Sequence, residues 1–168
     1  MEIKLIVAMD EKNGIGYNNK LLWHLPKDLK WFKEQTNDKI IVMGKNCYLD
    51  ICSYTKGKPL PNRINVILSS SLTPKDVQPG FLIFKDKKSL LEYFSYEREI
   101  FIIGGGQIYN EFIKEADELI VTHVHKHYLA DVFFPKLEYS NFIKIFEQNE
   151  TENNIHFTFT KYRKKLDF

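Results

Sequence analysis

The feature that most constrains the fold is a series of short apolar runs, rich in β-branched residues, that alternate with segments of helical character. The five clearest runs are residues 3–9, 39–44, 64–68, 99–103 and 119–124. They show little of the apolar–polar alternation expected of a strand with one wet face, so they are typical of strands buried on both faces. Such strands belong to parallel sheets that helices cover on each side.

The segments around these runs complete an α/β pattern. Helices are predicted from 26 to about 36, from 44 to about 51, over 89–94 and over 107–115. Further strands are predicted at 81–84, 142–146 and 155–162, and loops at 10–20, 53–63 and 130–135. Alternation in the last strand indicates antiparallel pairing at the sheet edge. We therefore expect one α/β domain, residues 1–168, in which about four helices flank a central, mostly parallel eight-stranded sheet with an antiparallel C-terminal strand.

Composition narrows the classes of function. The 168 residues are 43% hydrophobic and 27% charged, which fits a globular domain and neither a disordered nor a fibrous chain. A net charge of +2 gives no indication of nucleic-acid binding. Cys47 and Cys52 lack the partner spacing of a metal site, and two cysteines fit a reducing compartment. With neither a signal peptide nor a membrane-length apolar run in sight, we expect a cytoplasmic monomer without a membrane partner.

One carboxylate lies at a junction between a loop and a helix. Pro26 suits the first helical turn, where its missing N–H would have no partner anyway. Asp28 follows inside that turn, and Trp31 and Phe32 project from the same face three and four residues later. A carboxylate beside two aromatic rings is a candidate for a desolvated, hydrogen-bonding acid. The alternative is an ordinary acid that favours a helix N-terminus.

Three glycines, Gly104 to Gly106, lie between a predicted strand and a predicted helix. Glycine lets the backbone approach a phosphate or a flat ring, and a helix N-terminus favours negative charge. The pattern is not the usual dinucleotide fingerprint, because Tyr109 stands in place of the third glycine. The alternative is a tight strand–helix turn without a ligand. A second glycine-bearing segment, the loop at 10–20, is long enough to favour a functional role.

Two further features of the sequence are candidate binding sites. Arg63 precedes a buried strand after the sequence Pro-Leu-Pro-Asn, so its planar fork could be held for a carboxylate ligand. A surface arginine after a turn is the alternative. His123, His125 and His127 alternate along a strand, but without acidic or thiol partners nearby they give little support for a metal site, and none is predicted.

Taken together, these features resemble the dihydrofolate reductase family over nearly the whole chain. The resemblance rests on nine motifs in order: residues 5–8 (Leu-Ile-Val-Ala), 14–16 (Gly-Ile-Gly), 22–29 (Leu-Trp-His-Leu-Pro-Lys-Asp-Leu), 42–45 (Val-Met-Gly-Lys), 58–63 (Lys-Pro-Leu-Pro-Asn-Arg), 67–69 (Ile-Leu-Ser), 103–109 (Ile-Gly-Gly-Gly-Gln-Ile-Tyr), 122–123 (Thr-His) and 131–135 (Asp-Val-Phe-Phe-Pro). Each motif is modest alone, but their order and separations are specific.

The resemblance implies NADPH-dependent reduction of 7,8-dihydrofolate to tetrahydrofolate, by hydride transfer to C6 and protonation at N5, in support of one-carbon metabolism and thymidylate synthesis. It gives the catalytic residues as Asp28, Thr122, Trp23 and Tyr109. Asp28 resembles the carboxylate that grips the pterin amino group and N3. Arg63 resembles the arginine that pairs with the substrate's glutamate α-carboxylate. The implied substrate-binding residues are Ile6, Val7, Asp28, Phe32, Leu60, Arg63, Ile103 and Thr122.

The resemblance also implies NADPH as cofactor, with an adenosine-binding subdomain over about 39–96 and a cis Gly104–Gly105 bond. The implied cofactor-binding residues are Ala8, Ile15, Gly16, Tyr17, Asn18, Asn19, Lys45, Asn46, Cys47, Ser69, Ser70, Lys85, Gly104, Gly105, Gly106, Gln107, Ile108 and Tyr109. The loop up to Trp23 is expected to close over the nicotinamide. Three departures from the family pattern are Leu22 in place of proline, Cys47 in place of threonine, and extra residues between 51 and 58.

Two other functions remain as alternatives. One is a pyrimidine or pterin reductase of the same fold, such as the reductase domain of riboflavin synthesis, which the combination of Asp28 and Arg63 disfavours. The other is an NADPH-binding module without enzymatic activity.

Overall fold

The structure is a computed structural model that describes residues 1–18 and 20–166. Within them the strands are β1 (Glu2–Met9), β2 (Gly14–Gly16), β3 (Ile40–Met43), β4 (Ile64–Leu68), β5 (Phe81–Phe84), β6 (Glu99–Gly104), β7 (Glu118–Val124), β8 (Val132–Phe133), β9 (Phe142–Glu152) and β10 (Ile155–Lys164). The α-helices are α1 (Pro26–Thr36), α2 (Lys45–Thr55), α3 (Lys87–Tyr93) and α4 (Gly106–Phe112). Short 3₁₀ turns lie at Pro74–Asp76, Ile113–Glu115 and Tyr139–Asn141.

Eight of the described strands form one sheet in the order β5-β4-β3-β6-β1-β7-β10-β9. The six strands from β5 to β7 are parallel to their neighbours. Strand β10 then pairs antiparallel with β7, and β9 pairs antiparallel with β10. This arrangement, with four α-helices in the described part of the chain, confirms the predicted α/β fold and its mostly parallel sheet.

The central strands of the sheet are buried on both faces, as the apolar runs predict. Neighbouring residues of a strand enter opposite cores: Leu5 and Val42 pack in one cluster, whereas Ile6 and Ile41 pack in the other. The two clusters are the consequence of period-two side-chain alternation in strands that have no wet face. This explains why the sequence of these strands carries no polar alternation.

Three local predictions were wrong. The helix predicted to end near 51 continues to Thr55, so the loop begins later than 53. Parts of the predicted loops at 10–20 and 130–135 form strands, because β2 and β8 pair in a small antiparallel sheet of their own. The edge of the main sheet on this side is β9, and β10 lies inside it between β7 and β9. The second and third errors come from contacts between segments distant in sequence, whereas the last turn of α2 is held by local bonds.

Among the described residues, no helix is both long and apolar enough to cross a membrane.

Candidate active site

The candidate site begins beyond the carboxyl ends of the central parallel strands, where open α/β sheets bind their ligands. It extends along helix α1 to Arg63, which bonds to Thr36 at the end of that helix. Strand β1 pairs with β6 on one side and with β7 on the other, and this register places Ala8 beside Thr122. Helix α1 brings Asp28 to the same place, because Pro26 begins the helix and the Asp28 N–H donates to the Leu25 carbonyl at 2.9 Å. A carboxylate and a hydroxyl therefore meet although they are 94 residues apart.

Asp28 and Thr122 form the chemical centre of the site. The Thr122 hydroxyl donates a hydrogen bond of 2.7 Å to Asp28 Oδ1. Burial of the carboxyl raises the pKa of Asp28 from 3.8 to about 6, the Thr122 bond opposes that rise, and the Glu152 charge adds to it. A carboxyl with this pKa changes its protonation state close to neutral pH. In its ionised state the Asp28 carboxyl can accept hydrogen bonds from a ligand. In its protonated state it can supply a proton.

The two aromatic residues of α1 take different positions, although the sequence places both on the face of Asp28. The Trp31 ring stacks on Phe159 at 4.5 Å and on Phe146 at 5.5 Å between ring centroids. Phe32 packs more openly at the border of the same cluster. Trp31 therefore fixes the helix to the C-terminal strands, while Phe32 remains available to a ligand.

The predicted apolar substrate contacts are mostly on one side of the sheet. Ile6 belongs to the cluster that contains Trp31, and four other predicted site side chains pack against that cluster: Trp23, Phe32, Leu60 and Ile103. Val7 is the exception, because its side chain packs in the other cluster on the opposite face of β1. An apolar wall on one side of Asp28 excludes water and strengthens hydrogen bonds to the carboxylate.

Arg63 is held by neutral groups. Its Nε donates to the Pro61 carbonyl at 2.9 Å, and its Nη1 donates to the Thr36 hydroxyl at 3.3 Å. Within the described residues, no carboxylate lies within 4.0 Å of this guanidinium. Burial lowers the pKa of Arg63, an effect that Tyr54 opposes. A fixed, partly desolvated cation without an anionic partner is suited to bind the carboxylate of a ligand.

Sequence reasoning missed Asn65, which shapes the loop that carries Leu60 and Arg63. The buried Asn65 amide donates to the carbonyls of Leu60 at 2.9 Å and Arg63 at 3.2 Å, and its oxygen accepts from the Leu60 N–H at 3.0 Å. The signal was present in the sequence, because a lone polar residue inside an apolar strand must find internal partners.

The glycine turn after β6 adopts a shape that requires glycine. Gly104 has φ +126°, and the Gly104–Gly105 peptide bond is cis, as the resemblance implies. An added Cβ on Gly44 would lie 2.7 Å from Ile108, and one on Gly106 would lie 3.0 Å from Val132. At Gly105, in contrast, an added Cβ would meet no described atom within 4 Å. The turn is packed tightly where it faces the protein and is open at Gly105. A ligand can therefore approach the backbone closely on the open side.

Tyr109 fixes this turn to the floor of the site. Its hydroxyl lies 2.7 Å from the Ile6 carbonyl and 2.8 Å from the Ile103 carbonyl, at the ends of two adjacent central strands. Burial, with the charges of Cys47 and Asp28, raises the pKa of Tyr109 well above 10. The phenol therefore stays protonated and serves to position the ends of β1 and β6.

The remaining predicted cofactor residues lie along the carboxyl ends of the neighbouring strands. Lys45 and Asn46 are exposed in the first turn of α2, and Cys47 follows as a thiol whose pKa burial raises to about 12. Ser69 and Ser70 follow β4, and Lys85 follows β5. Accessible hydroxyls and ammonium groups next to an open glycine turn fit the phosphates of a dinucleotide.

The loop that precedes α1 is fixed by two aspartates that sequence reasoning did not single out as site residues. Buried Asp10 accepts from the N–H groups of Gly14 at 2.7 Å and Tyr128 at 3.0 Å. Asp131 accepts from the Asn18 N–H at 3.1 Å, and its own N–H donates to the Gly16 carbonyl at 2.9 Å. The loop residues Ile15, Gly16, Tyr17 and Asn18 thus lie near the end of β1, and the predicted residue Asn19 lies outside the described residues.

The histidines of β7 do not converge. His123 Nε2 pairs with the Tyr162 hydroxyl at 2.9 Å, whereas His125 Nε2 pairs with the Thr158 hydroxyl at 2.7 Å. Residues 1–18 and 20–166 contain no group of histidine, cysteine and acidic side chains that could hold a metal ion.

The fold and the position of the site are those of an α/β enzyme that binds its ligands at the edge of a parallel sheet. The dihydrofolate reductase family model matches residues 2–164, so the chain belongs to that family and is an NADPH-dependent oxidoreductase. A dihydrofolate reductase of Buchnera aphidicola subsp. Baizongia pistaciae is 36% identical over 173 residues and covers 99% of both chains. That of Bacillus subtilis is 35% identical over 166 residues, covering 97% of this chain and 95% of its own.

A solved structure is also similar over almost the full chain. Dihydrofolate reductase from Enterococcus faecalis, complexed with NADP(H) and RAB-propyl, matches with a TM-score of 0.84 at 29% identity. The match covers 97% of this chain and 96% of that one.

Proposed function

We propose that the chain carries out its family's reaction, the NADPH-dependent reduction of 7,8-dihydrofolate to tetrahydrofolate, with Asp28 as the residue that binds and helps protonate the pterin. The observation that carries this assignment is the buried Asp28 carboxyl, hydrogen-bonded to Thr122 with a pKa of about 6. Product supply to one-carbon metabolism and thymidylate synthesis follows from this reaction.

Asp28 acts by orienting the pterin and by favouring its protonated form. Its carboxylate accepts hydrogen bonds from the pterin amino group and N3, and Thr122 holds the carboxylate in the geometry that receives them. The apolar side chains of Ile6, Phe32 and Leu60 keep water away from these bonds. Negative charge close to the ring favours the proton at N5, and the pKa of Asp28 keeps that charge titratable near neutral pH.

When bound in this site, NADPH would supply the hydride that the reaction adds to C6 of the pterin. The open side of Gly105 supports binding of the pyrophosphate along residues 104–109, and Tyr109 keeps this turn in place. Lys45, Ser69, Ser70 and Lys85 are suited to the adenosine and its 2′-phosphate, which supports an adenosine-binding subdomain over about 39–96. Trp23 and the loop up to it, held by Asp131, act as the cover that orients the nicotinamide and excludes water.

Arg63 binds the acidic tail of the substrate. Its fork is fixed by Pro61 and Thr36 but lacks a carboxylate partner among the described residues. A pyrimidine reductase acting on a substrate without an acidic tail would have no use for this arginine, which favours the folate reaction over that alternative. We propose further that the enzyme works as a cytoplasmic monomer without nucleic-acid partners.

The test is an assay of purified protein with NADPH and dihydrofolate. We expect NADPH oxidation that depends on dihydrofolate, measured as loss of absorbance at the reduced nicotinamide band. A pyrimidine substrate that supports faster oxidation would favour the alternative reductase. NADPH binding without turnover of either substrate would favour the remaining alternative, an NADPH-binding module without enzymatic activity.

A further inference from the structure

Helix α1, which carries Asp28, does not cap its own N-terminus. The residue at the cap position, Leu25, has no side-chain atom that can accept a hydrogen bond, and Pro26 has no backbone N–H. The Asp28 N–H already donates to the Leu25 carbonyl at 2.9 Å. The Lys27 N–H is therefore the donor of this first turn that needs a partner from outside the helix, and it is next to the carboxyl of the site.

The hairpin of β9 and β10 supplies this partner. Glu152 Oε1 accepts a hydrogen bond from the Lys27 N–H at 3.0 Å. The Lys27 ammonium lies 3.2 Å from Glu150 Oε2 and 3.3 Å from the Thr151 carbonyl oxygen. Glu152 is the last residue of β9 and pairs in register with Ile155 of β10, so it is held at the tip of the hairpin. The hairpin thus fixes both the backbone and the side chain of the residue that precedes Asp28.

Three elements present polar or charged groups to the Asp28 carboxyl. Strand β7 presents the Thr122 hydroxyl at 2.7 Å, and α4 presents the buried Tyr109 phenol, which keeps its proton. The hairpin presents Glu152, whose negative charge raises the pKa of Asp28. The ammonium of Lys27 is paired with the hairpin through Glu150. Glu152 therefore combines a direct bond to the first turn of α1 with a charge of the same sign as Asp28.

We propose that Glu152 is a positioning residue for the reduction of dihydrofolate, acting from the hairpin through the backbone of helix α1. Its bond to the Lys27 N–H holds the first helical turn in place, so that the Asp28 carboxyl stays beside the Thr122 hydroxyl. Its charge also makes protonation of Asp28 easier, because two carboxylates near one helix N-terminus repel each other. This inference rests on the proposed function, because it names a support for the same carboxyl.

Two substitutions of Glu152 separate the hydrogen bond from the charge. Glu152→Ala removes both, and should lower kcat/KM for dihydrofolate about fivefold, because an uncapped first turn holds Asp28 less well. Glu152→Gln keeps an oxygen that can accept from the Lys27 N–H, so at about pH 5.5 it should retain kcat/KM within twofold of wild type. The dissociation constant for NADPH should be the same in all three proteins, which also shows that the variants are folded.

The charge is tested by titration of Asp28 without substrate. Carbon NMR of protein labelled at the aspartate carboxyl carbons follows this group, and the signal absent from Asp28→Asn identifies it. Wild type should titrate with a pKa of about 6. In Glu152→Gln the midpoint should fall by about half a pH unit, because one nearby negative charge is lost. The midpoint above which kcat/KM declines should move to lower pH in the same direction.

Glu147→Gln is the matched control, because it removes an exposed carboxylate from the same strand. It should change neither kcat/KM nor the Asp28 titration. A Glu152→Ala variant with the kcat/KM of wild type would overturn the inference while the proposed function stands, and so would an Asp28 titration that is identical in wild type and Glu152→Gln. Wild-type protein that does not oxidise NADPH with dihydrofolate would overturn the proposed function. The titration needs no substrate, so it keeps the two failures apart.

Discussion

Two groups of charged side chains in the molecule lie in opposite environments. At the amino ends of the strands, Lys4 lies 2.9 Å from Glu99 and 3.3 Å from Glu118, and Arg163 pairs with Glu2. In the candidate site, Asp28 and Arg63 are desolvated and contact neutral groups.

The pKa shifts follow the same division. Hydrogen bonds to Lys39 and Lys4, against the effect of burial, lower the pKa of Glu99, and the bond to Arg163 lowers the pKa of Glu2. Burial instead raises the pKa of Asp28. Charged groups that form ion pairs within the chain stabilise the fold, whereas charged groups that contact only neutral groups are available to bind a ligand.

The largest expected effect comes from substitution of Asp28 in the candidate site. Asp28→Asn should lower kcat/KM for dihydrofolate at pH 7 by about 10²-fold or more, because it removes a group that binds the pterin and favours its protonation. Activity should partly recover as the pH falls, since solvent then supplies the proton, while NADPH affinity stays unchanged. The measurement is a pH–rate profile, with Glu34→Gln on the exposed face of α1 as control. A variant profile parallel to wild type would contradict this role for Asp28.

The next effect concerns the cation of the candidate site. Arg63→Leu should weaken dihydrofolate binding by about 10- to 50-fold, because a fixed guanidinium–carboxylate pair in a partly desolvated site is lost. The dissociation constant for NADPH should not change. Both constants can be followed by quenching of tryptophan fluorescence, and Arg98→Leu at an exposed arginine is the control. Equal loss of substrate affinity in the two variants would remove Arg63 from the site.

At the amino end the same kind of substitution should act on stability. Lys4→Met leaves the nearly buried carboxylates of Glu99 and Glu118 without one of their cations, and should lower the free energy of unfolding by about 2 kcal/mol. Urea denaturation measures this change, and kcat should be unaffected. Lys30→Met, which removes an exposed pair with Glu34, should change stability by less than about 0.5 kcal/mol. If Lys4→Met lowered kcat but not the free energy of unfolding, the charges at the amino ends would act in catalysis and not in stability.

The smallest expected effect is the opposite pH dependence of stability for the two groups of charged side chains. The pKa of Glu99 is lower in the folded than in the unfolded chain, so its stabilising contribution is present above the unfolded pKa and lost as the pH falls. The raised pKa of Asp28 means that its ionised form destabilises the fold, an effect that develops between about pH 4 and pH 6 and persists above. Asp28→Asn should therefore be about 1 kcal/mol more stable than wild type at pH 8, allowing for partial solvent screening.

The additional stability of Asp28→Asn should disappear near pH 4. Unfolding curves of the variant and of wild type at pH 4 and pH 8 test this. A wild type that is more stable than the variant at pH 8 would show that Asp28 is compensated within the chain.

What the sequence could predict depended on how locally each feature is determined. The central strands and helix α1 were predicted correctly, because uninterrupted apolar runs and an N-terminal proline carry their own structural signal. The position of Asp28 was predicted for the same reason, since its place in the first turn of α1 is a local property. Its pKa needed the structure, because the apolar wall and Thr122 come from other parts of the chain.

Other features depend on contacts that no local pattern encodes. The strand pair β2–β8 forms between segments more than 100 residues apart, and each segment alone has the composition of a loop. The last turn of α2 was missed because Cys52 to Thr55 has no marked helical pattern, and hydroxyl bonds from Ser53 and Thr55 to the preceding turn hold it. Asn65 left a signal in the sequence, but its partners are visible only in the fold.

The position of β10 inside the sheet has a consequence for biosynthesis. Phe159 pairs in register with Thr122 and stacks on Trp31, so this strand supports both β7 and the helix that carries Asp28. During translation these residues leave the ribosome after all other residues of the site. A nascent chain therefore holds the acid and its hydroxyl partner long before it has the strand that fixes them together, and the pocket can close only after synthesis of β10.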